Sequence, residues 1–179
     1  LAAGNVASIG PTDALHKLFV ENEVVLMKTN PVNGYLAPYW EKALSPLISA
    51  GFAGIVSGGA EIGSFLCTHP LVDSVHITGS DRTHDAIVWG PTFEEQQDRK
   101  ARHQPILQKP ITSELGCVTP VVVVPGQWSE DDLRFQARHV AGMMCHNASF
   151  NCNAAKVLIT SHDWPQQDRF LTLVQEAIS

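Results

Sequence analysis

Short apolar runs recur along the chain, and between them apolar positions return at helical spacing. Val24-Val25-Leu26-Met27, Ala53-Gly54-Ile55-Val56, Val75-His76-Ile77, Val121-Val122-Val123 and Val157-Leu158-Ile159 are the runs. Each is short, rich in β-branched residues and bounded by Gly, Pro, Asn or Ser, as strands buried on both faces of a sheet are. The spacing between them predicts helices over 13–19, 35–50, 84–89, 129–145 and 163–178. Leu15, Leu18 and Phe19 stripe the first, with Thr12 or Asp13 as its cap. Pro46 kinks or ends the second, and Gly51 suits its C-terminal stop. Ser129 with Asp132 three residues later resembles a capping box at the start of the fourth. Asp163-Trp164-Pro165 opens the last.

Strand–helix alternation with short connections predicts an α/β fold with a mainly parallel sheet flanked by helices. The rhythm resets near Gly116–Val118. The expected division is residues 1–117 as a first, Rossmann-like unit and 118–179 as the start of a second α/β unit. Leu1 to Asn5 reads as a strand, Ile111–Glu114 as another. Residues 94–109 are the most polar part and read as a solvated insertion or a loosely held helix.

Charge narrows the function. Eighteen acidic residues against twelve basic ones give a net charge of −6, with no basic run. Nucleic acid is therefore not an expected partner. The longest apolar stretches are about five residues, far below the roughly twenty a membrane helix needs. The four cysteines lack a metal-ligand spacing, so no metal is expected. A reduced, cytoplasmic setting is the plain reading. The opening Leu1-Ala2-Ala3-Gly4 reads as the interior of a domain.

Three places could carry chemistry. Cys152 lies in Asn151-Cys152-Asn153-Ala154-Ala155, just before a buried run, where a thiol can be held rigidly. Glu114 ends another strand-like piece before Gly116. A thiol and a carboxylate on separate strand ends are the parts of covalent thiol catalysis with a general base. Taken alone, Cys152 reads more often as a small buried hydrophobe than as a nucleophile. Gly58 to Gly63 form a glycine-rich turn between a strand and a helix, which lets backbone approach a phosphate or serves only as a turn. Cys67, Cys117 and Cys145 are expected to fill the core, His76 to be a satisfied core histidine, and Trp40, Trp89 and Trp164 to anchor packing.

These pieces have a common explanation. Val24 to Lys28 resembles the aldehyde dehydrogenase superfamily's strand ending in a cofactor-binding lysine. Gly58 to Gly63 with His69-Pro70 resembles its glycine turn and following helix. Ile77-Thr78-Gly79-Ser80 is similar to its Phe-Thr-Gly-Ser, and Glu114-Leu115-Gly116 to the start of its Glu-Leu-Gly-Gly. Cys152 falls where its nucleophile belongs, and Asn5 precedes Lys28 at about the separation of its oxyanion asparagine. The motifs occur in the family's order along nearly the whole chain.

The resemblance implies a partial Rossmann-like nucleotide-binding unit followed by the beginning of a catalytic domain. It implies NAD(P)-dependent oxidation of an aldehyde to a carboxylic acid through a cysteine thioester, with NAD or NADP as cofactor. Cys152 would be the nucleophile, Glu114 the activator of water and Asn5 an oxyanion donor. Lys28, Gly58, Gly63, Gly79 and Ser80 would contact the cofactor. Two alternatives stand beside it: a CoA-acylating reductase, and a catalytically silent dinucleotide-binding or scaffold protein.

The chain also departs from the pattern. Cys117 replaces the second glycine of Glu-Leu-Gly-Gly, Ser149-Phe150 stands where Gly-Gln is usual, and Pro31 takes the place of a carboxylate carried by many NAD-preferring members. The resemblance is to a divergent, central piece. The family's oligomerisation strands and later Glu-x-Phe motif are expected outside it, and the full-length protein is expected to be a homo-oligomer acting on a small aldehyde.

Overall fold

The computed structural model describes residues 1–179. The chain forms two compact units, Leu1–Leu115 and Gly116–Ser179. Every strand pair in both units is parallel, and helices follow the strands, as the alternation in the sequence predicts.

In the first unit, β1 (Val25–Lys28) pairs with β2 (Ala53–Val56), with Lys28 opposite Val56. β3 (Val75–Gly79) pairs with β4 (Ile111–Leu115), with Thr78 opposite Glu114. The start of the chain stitches the two pairs together. Leu1 N–H donates to the His76 carbonyl at 2.6 Å, and the Leu1 carbonyl accepts from Thr78 N–H at 3.2 Å, the pattern of a parallel ladder. Ala2 N–H donates to the Lys28 carbonyl at 3.0 Å. The strand expected over Leu1 to Asn5 is not formed; Leu1 and Ala2 make only these ladder-like bonds, and Gly4 and Asn5 form a bend after them.

Helix α1 spans Ile9–Phe19 and starts four residues earlier than the apolar stripe suggests. Pro11 sits in its first turn, where its missing N–H costs nothing. Neither Thr12 nor Asp13 caps it; Thr12 is inside the helix and its hydroxyl donates back to the Ser8 carbonyl at 2.6 Å. Gly10 permits close approach to the first strand segment, since a Cβ there would lie 2.7 Å from the Ala2 Cβ.

The single kinked helix expected over 35–50 is three pieces: a 3₁₀ turn Pro31–Leu36, α2 (Ala37–Ala43) and α3 (Ser45–Ser49). Pro38 and Pro46 lie in the first turns of α2 and α3, so each proline opens a helix. Gly51 follows with φ +79°, the left-handed stop expected of it.

Helix α4 covers Ala60–Thr68 and α5 covers Asp81–Trp89. The polar segment is better ordered than its composition implies. Helix α6 (Phe93–Arg102) has a complete Thr92/Glu95 capping box, and Lys100 reaches back to Asp85 on α5 at 2.6 Å.

The second unit pairs β5 (Pro120–Val122) with β6 (Val157–Ile159) and packs them with α7 (Glu130–Cys145) and α8 (Gln167–Ile178). The Ser129/Asp132 box forms as expected. The last helix begins at Gln167, after a turn carrying Trp164. The core gathers Val123, Leu133, Ala137, Val140, Trp164, Phe170, Leu173 and Val174. Phe170 is wholly buried, with Trp128 and Trp164 ring centroids 5.8 and 5.6 Å away. The Gln166 amide clasps both backbone groups of Trp128, at 2.9 and 2.8 Å. Of the cysteines expected in the core only Cys67 is there; Cys117 and Cys145 are exposed.

No helix is long and apolar enough to cross a membrane.

Candidate functional site

The first unit collects its candidate groups at the carboxyl ends of parallel strands, where open α/β sheets bind ligands. Lys28 ends β1. Its side chain is only 8% exposed, and its ammonium donates no hydrogen bond within the chain. Burial pushes its pKa down, and Glu61 partly offsets that. Thr29, wholly buried, locks the strand ends together: its N–H donates to the Val56 carbonyl at 2.9 Å and its hydroxyl to Ser57 at 3.1 Å.

Gly58 and Gly59 form the turn after β2, and Gly59 is the N-cap of α4. Gly58 has φ +155°, and a Cβ there would collide with the Ile62 side chain, so this position needs glycine. Gly63 is not in the turn. Because α4 already starts at Ala60, Gly63 is a buried residue of the helix body. The sequence reading missed Glu61. Its carboxylate curls back to accept the Gly59 N–H at 3.0 Å. Its own N–H and that of Gly59 hold its pKa low, with Lys28 adding to the effect. An acidic residue two positions after a glycine N-cap was the available signal.

Gly79 closes β3 and Ser80 caps α5, its hydroxyl accepting from Thr83 N–H at 3.1 Å. Glu114 is exposed on β4, one residue before its end. The bend holding Asn5 is tied down by a residue the sequence reading passed over: Asn33, 7% exposed, donates to the Ala3 and Gly4 carbonyls at 3.2 and 3.3 Å. Gly4 has to be small there, since a Cβ would lie 2.8 Å from the Asn30 side chain.

His76 is satisfied, as expected. One ring nitrogen meets Thr112 Oγ1 at 2.8 Å and the other Thr78 Oγ1 at 3.2 Å, with Asp13 at 3.6 Å. A depression of about 880 Å³ lies on this unit too, lined by Val24, Val25, Ala53, Phe65, Leu71 and Val75 among others. These residues sit at the amino ends of the strands, the opposite end from Lys28 and Gly58. It is not the candidate site.

In the second unit, Cys152 is exposed in the turn before β6. The turn is built from unusual backbone. Asn147, Ala148 and Ser149 have φ of +51°, +50° and +64°. Left-handed conformation costs an L-residue about 1–2 kcal/mol, so the surroundings must hold it. Asn151 is bracketed by the Asn147 amide at 3.1 Å and the His146 ring at 2.5 Å. Ala154 and Ala155 are buried, and Ala155 N–H donates to the Met143 carbonyl of α7 at 3.1 Å. Lys156 N–H donates to the Val118 carbonyl at 3.0 Å, and Cys117 N–H to the Cys152 carbonyl at 3.2 Å. The result is an accessible thiol on a braced hook, the condition a nucleophile needs.

Comparison with known proteins gives the family. The model of the aldehyde dehydrogenase family matches residues 14–179. The chain is 30% identical over 128 residues to alpha-ketoglutaric semialdehyde dehydrogenase 2 of Azospirillum brasilense, a match covering 72% of this chain and 22% of that protein. Among solved structures, AldH of Staphylococcus aureus in a substrate-bound state superposes with a TM-score of 0.70 at 15% identity, over 99% of this chain and 34% of that one. An indole-3-acetaldehyde dehydrogenase in complex with NAD+ superposes with a TM-score of 0.69 at 21% identity, over 98% and 32%. The chain therefore spans about a third or less of the length of these relatives. The strand-end lysine, the glycine turn, the capping serine and the braced cysteine lie on one continuous match, and the chain belongs to the aldehyde dehydrogenase family.

Proposed function

We propose that this chain is the central part of an NAD(P)-dependent enzyme that oxidises an aldehyde to a carboxylic acid through a thioester on Cys152. The observation that carries the reading is the exposed Cys152 on its braced turn, inside a family match that runs through it.

The first unit suits a dinucleotide. Lys28 is a largely buried residue at the end of β1 whose ammonium makes no hydrogen bond within the chain, and the Gly58–Gly59 turn follows the neighbouring strand β2. Lys28 would bond the adenosine ribose, with Gly58, Gly79 and Ser80 lining the cofactor. Gly63, inside α4, would support the helix that follows the turn. When bound, the nicotinamide accepts the hydride; the chain supplies position and charge. Relatives support NAD or NADP, one of them having been solved with NAD+. Pro31 offers no carboxylate against a 2′-phosphate.

The Cys152 sulfur adds to the aldehyde carbonyl, forming the C–S bond. The Asn5 amide and the Cys152 N–H stabilise the oxyanion, each such donor being worth about 3 kcal/mol. Hydride departure leaves the thioester. Glu114 takes a proton from water, and the resulting attack releases the acid and restores the thiol. Retention of a carboxylate at Glu114 favours water over CoA as the acceptor, because it can serve as the base that water attack needs. The full-length protein would be a homo-oligomer acting on a small-molecule aldehyde.

The test is Cys152→Ala in the intact protein. Aldehyde oxidation should vanish while nucleotide binding stays nearly unchanged. Full activity in that variant would sink the reading in favour of a silent dinucleotide-binding protein.

A further inference from the structure

Cys117 was expected in the core and is instead exposed beside Cys152. Its N–H donates to the Cys152 carbonyl at 3.2 Å, and its sulfur lies 3.4 Å from that same oxygen. The Cys117 thiol also meets the Thr119 hydroxyl at 2.8 Å. Both cysteines are free, and both are exposed. We propose that Cys117 and Cys152 form a reversible disulfide, a modification site that masks the Cys152 thiol under oxidant and returns it under a thiol reductant.

The geometry is what carries this. The Cys117 N–H···O=C bond to Cys152 sets the two residues alongside each other on neighbouring stretches of backbone. A disulfide takes Cα separations of about 4.4–6.8 Å. The Cys117 sulfur already lies 3.4 Å from the Cys152 carbonyl oxygen, and rotation of the two side chains among staggered wells is the motion that would bring the sulfurs together. The backbone on both sides stays pinned: Lys156 N–H holds Val118, and Ala155 N–H holds Met143. The two residues are 35 apart in sequence, so the bridge closes a loop containing the whole of α7.

The chemistry balances with a peroxide as oxidant. One thiolate attacks hydrogen peroxide; the O–O bond breaks, an S–O bond forms, and hydroxide leaves. The sulfenic sulfur is then attacked by the second thiol; the S–S bond forms, the S–O bond breaks, and the second water departs with the thiol's proton. Two thiols and one peroxide give one disulfide and two waters. Exchange with an added dithiol reverses the bond through a mixed disulfide. Without the second sulfur, the sulfenic acid can proceed irreversibly to sulfinic acid.

Formation of the bond does not depend on the catalytic reading; only its effect on activity rests on that. The experiment exposes the intact protein to stoichiometric hydrogen peroxide and maps its peptides by mass spectrometry, unreduced and after dithiothreitol. The expected result is a dithiol-reversible cross-link between the Cys117 and Cys152 peptides, with oxidation activity lost and at least four-fifths regained on reduction. Cys117→Ser should keep basal activity, show no cross-link, and lose activity irreversibly, with Cys152 recovered as sulfinic or sulfonic acid. Cys145→Ser, removing another exposed thiol, should behave as the unaltered protein. A peptide map of the unaltered protein with no Cys117–Cys152 cross-link, or unchanged reversibility in Cys117→Ser, overturns the inference and leaves the proposed function standing. A cross-link in a protein whose Cys152→Ala variant stays active supports the pair and overturns the proposed function.

Discussion

The Glu61 carboxylate accepts the Gly59 N–H at 3.0 Å, so the first turn of α4 is closed by the chain's own negative charge. That charge also acts on Lys28, partly offsetting the lowering of its pKa by burial. In the proposed cofactor site, a carboxylate acting on Lys28 would repel a 2′-phosphate and accept a 2′-hydroxyl. Pro31 alone would leave NAD and NADP poorly distinguished, and in the proposed site Glu61 would supply the carboxylate that Pro31 lacks.

Glu61→Gln should therefore raise the NADP-to-NAD affinity ratio of the intact protein about tenfold, near 1.4 kcal/mol. Titration of both nucleotides checks it. The substitution should also lower the Lys28 pKa further, because the one group raising it loses its charge. An unchanged ratio would remove Glu61 from nucleotide selection.

His76 gives the first unit a dependence on pH. Burial lowers its imidazole pKa, with Asp13 opposing. In the window between that lowered value and the ordinary 6.5, the folded unit binds fewer protons than the unfolded chain. Stability therefore rises with pH through the window and is flat above it. Hydrogen exchange of the β3 amides across pH 5–8 should show protection growing up to about pH 6.5. His76→Gln should flatten that slope; an equal slope in the variant would assign it to other groups.

The parallel α/β plan was legible because parallel strands leave short β-branched runs, and Ala53–Val56 and Val75–Gly79 fell where those runs are; burial on both faces was not, since Leu26, Val122, Val157 and Ile159 are exposed. Helix beginnings were less legible. Helix α1 starts at Ile9 because Pro11 fits a first turn, and α5 starts at Asp81 because Ser80 caps it; both starts lie before any apolar stripe. The polar α6 hid behind its composition, since a capping box and an ion pair to Asp85 replace the missing apolar face. In the candidate site, local pattern singled out Cys152 and the Gly58 turn, and the family resemblance added Lys28 and Ser80. Glu61 left one signal, an acidic residue just after a glycine N-cap; Asn33 and Cys117 left none, because each acts by reaching between segments, and single-sequence spacing carries no such information.

Phe170 and Ser129 should separate packing from capping in the second unit. Phe170 is wholly buried against Trp128 and Trp164, and Phe170→Ala should cost about 3–5 kcal/mol through lost burial and a cavity. Ser129→Ala removes an exposed cap and should cost about 1 kcal/mol. Hydrogen exchange of the α7 amides reads both. Equal effects would mean that the aromatic cluster adds little beyond the helix end.

Glu114→Gln tests how the thioester is released. Glu114 is exposed on β4, in register with Thr78, and in the proposed mechanism it acts only after hydride has left. A glutamine keeps the shape and removes the base. Addition of Cys152 to the aldehyde and hydride departure should then proceed at nearly the normal rate, while water attack slows by about 10²–10⁴-fold, the usual worth of a positioned general base. Rapid mixing should show a burst of NADH or NADPH equal to the enzyme present, followed by almost no turnover. Adding a small thiol or amine nucleophile should restore turnover, because it attacks the thioester without needing the base. If the burst disappears together with the turnover, Glu114 acts before the thioester and its role as activator of water fails. If turnover is undiminished, another group takes the proton, and Glu114 is only a solvated strand residue.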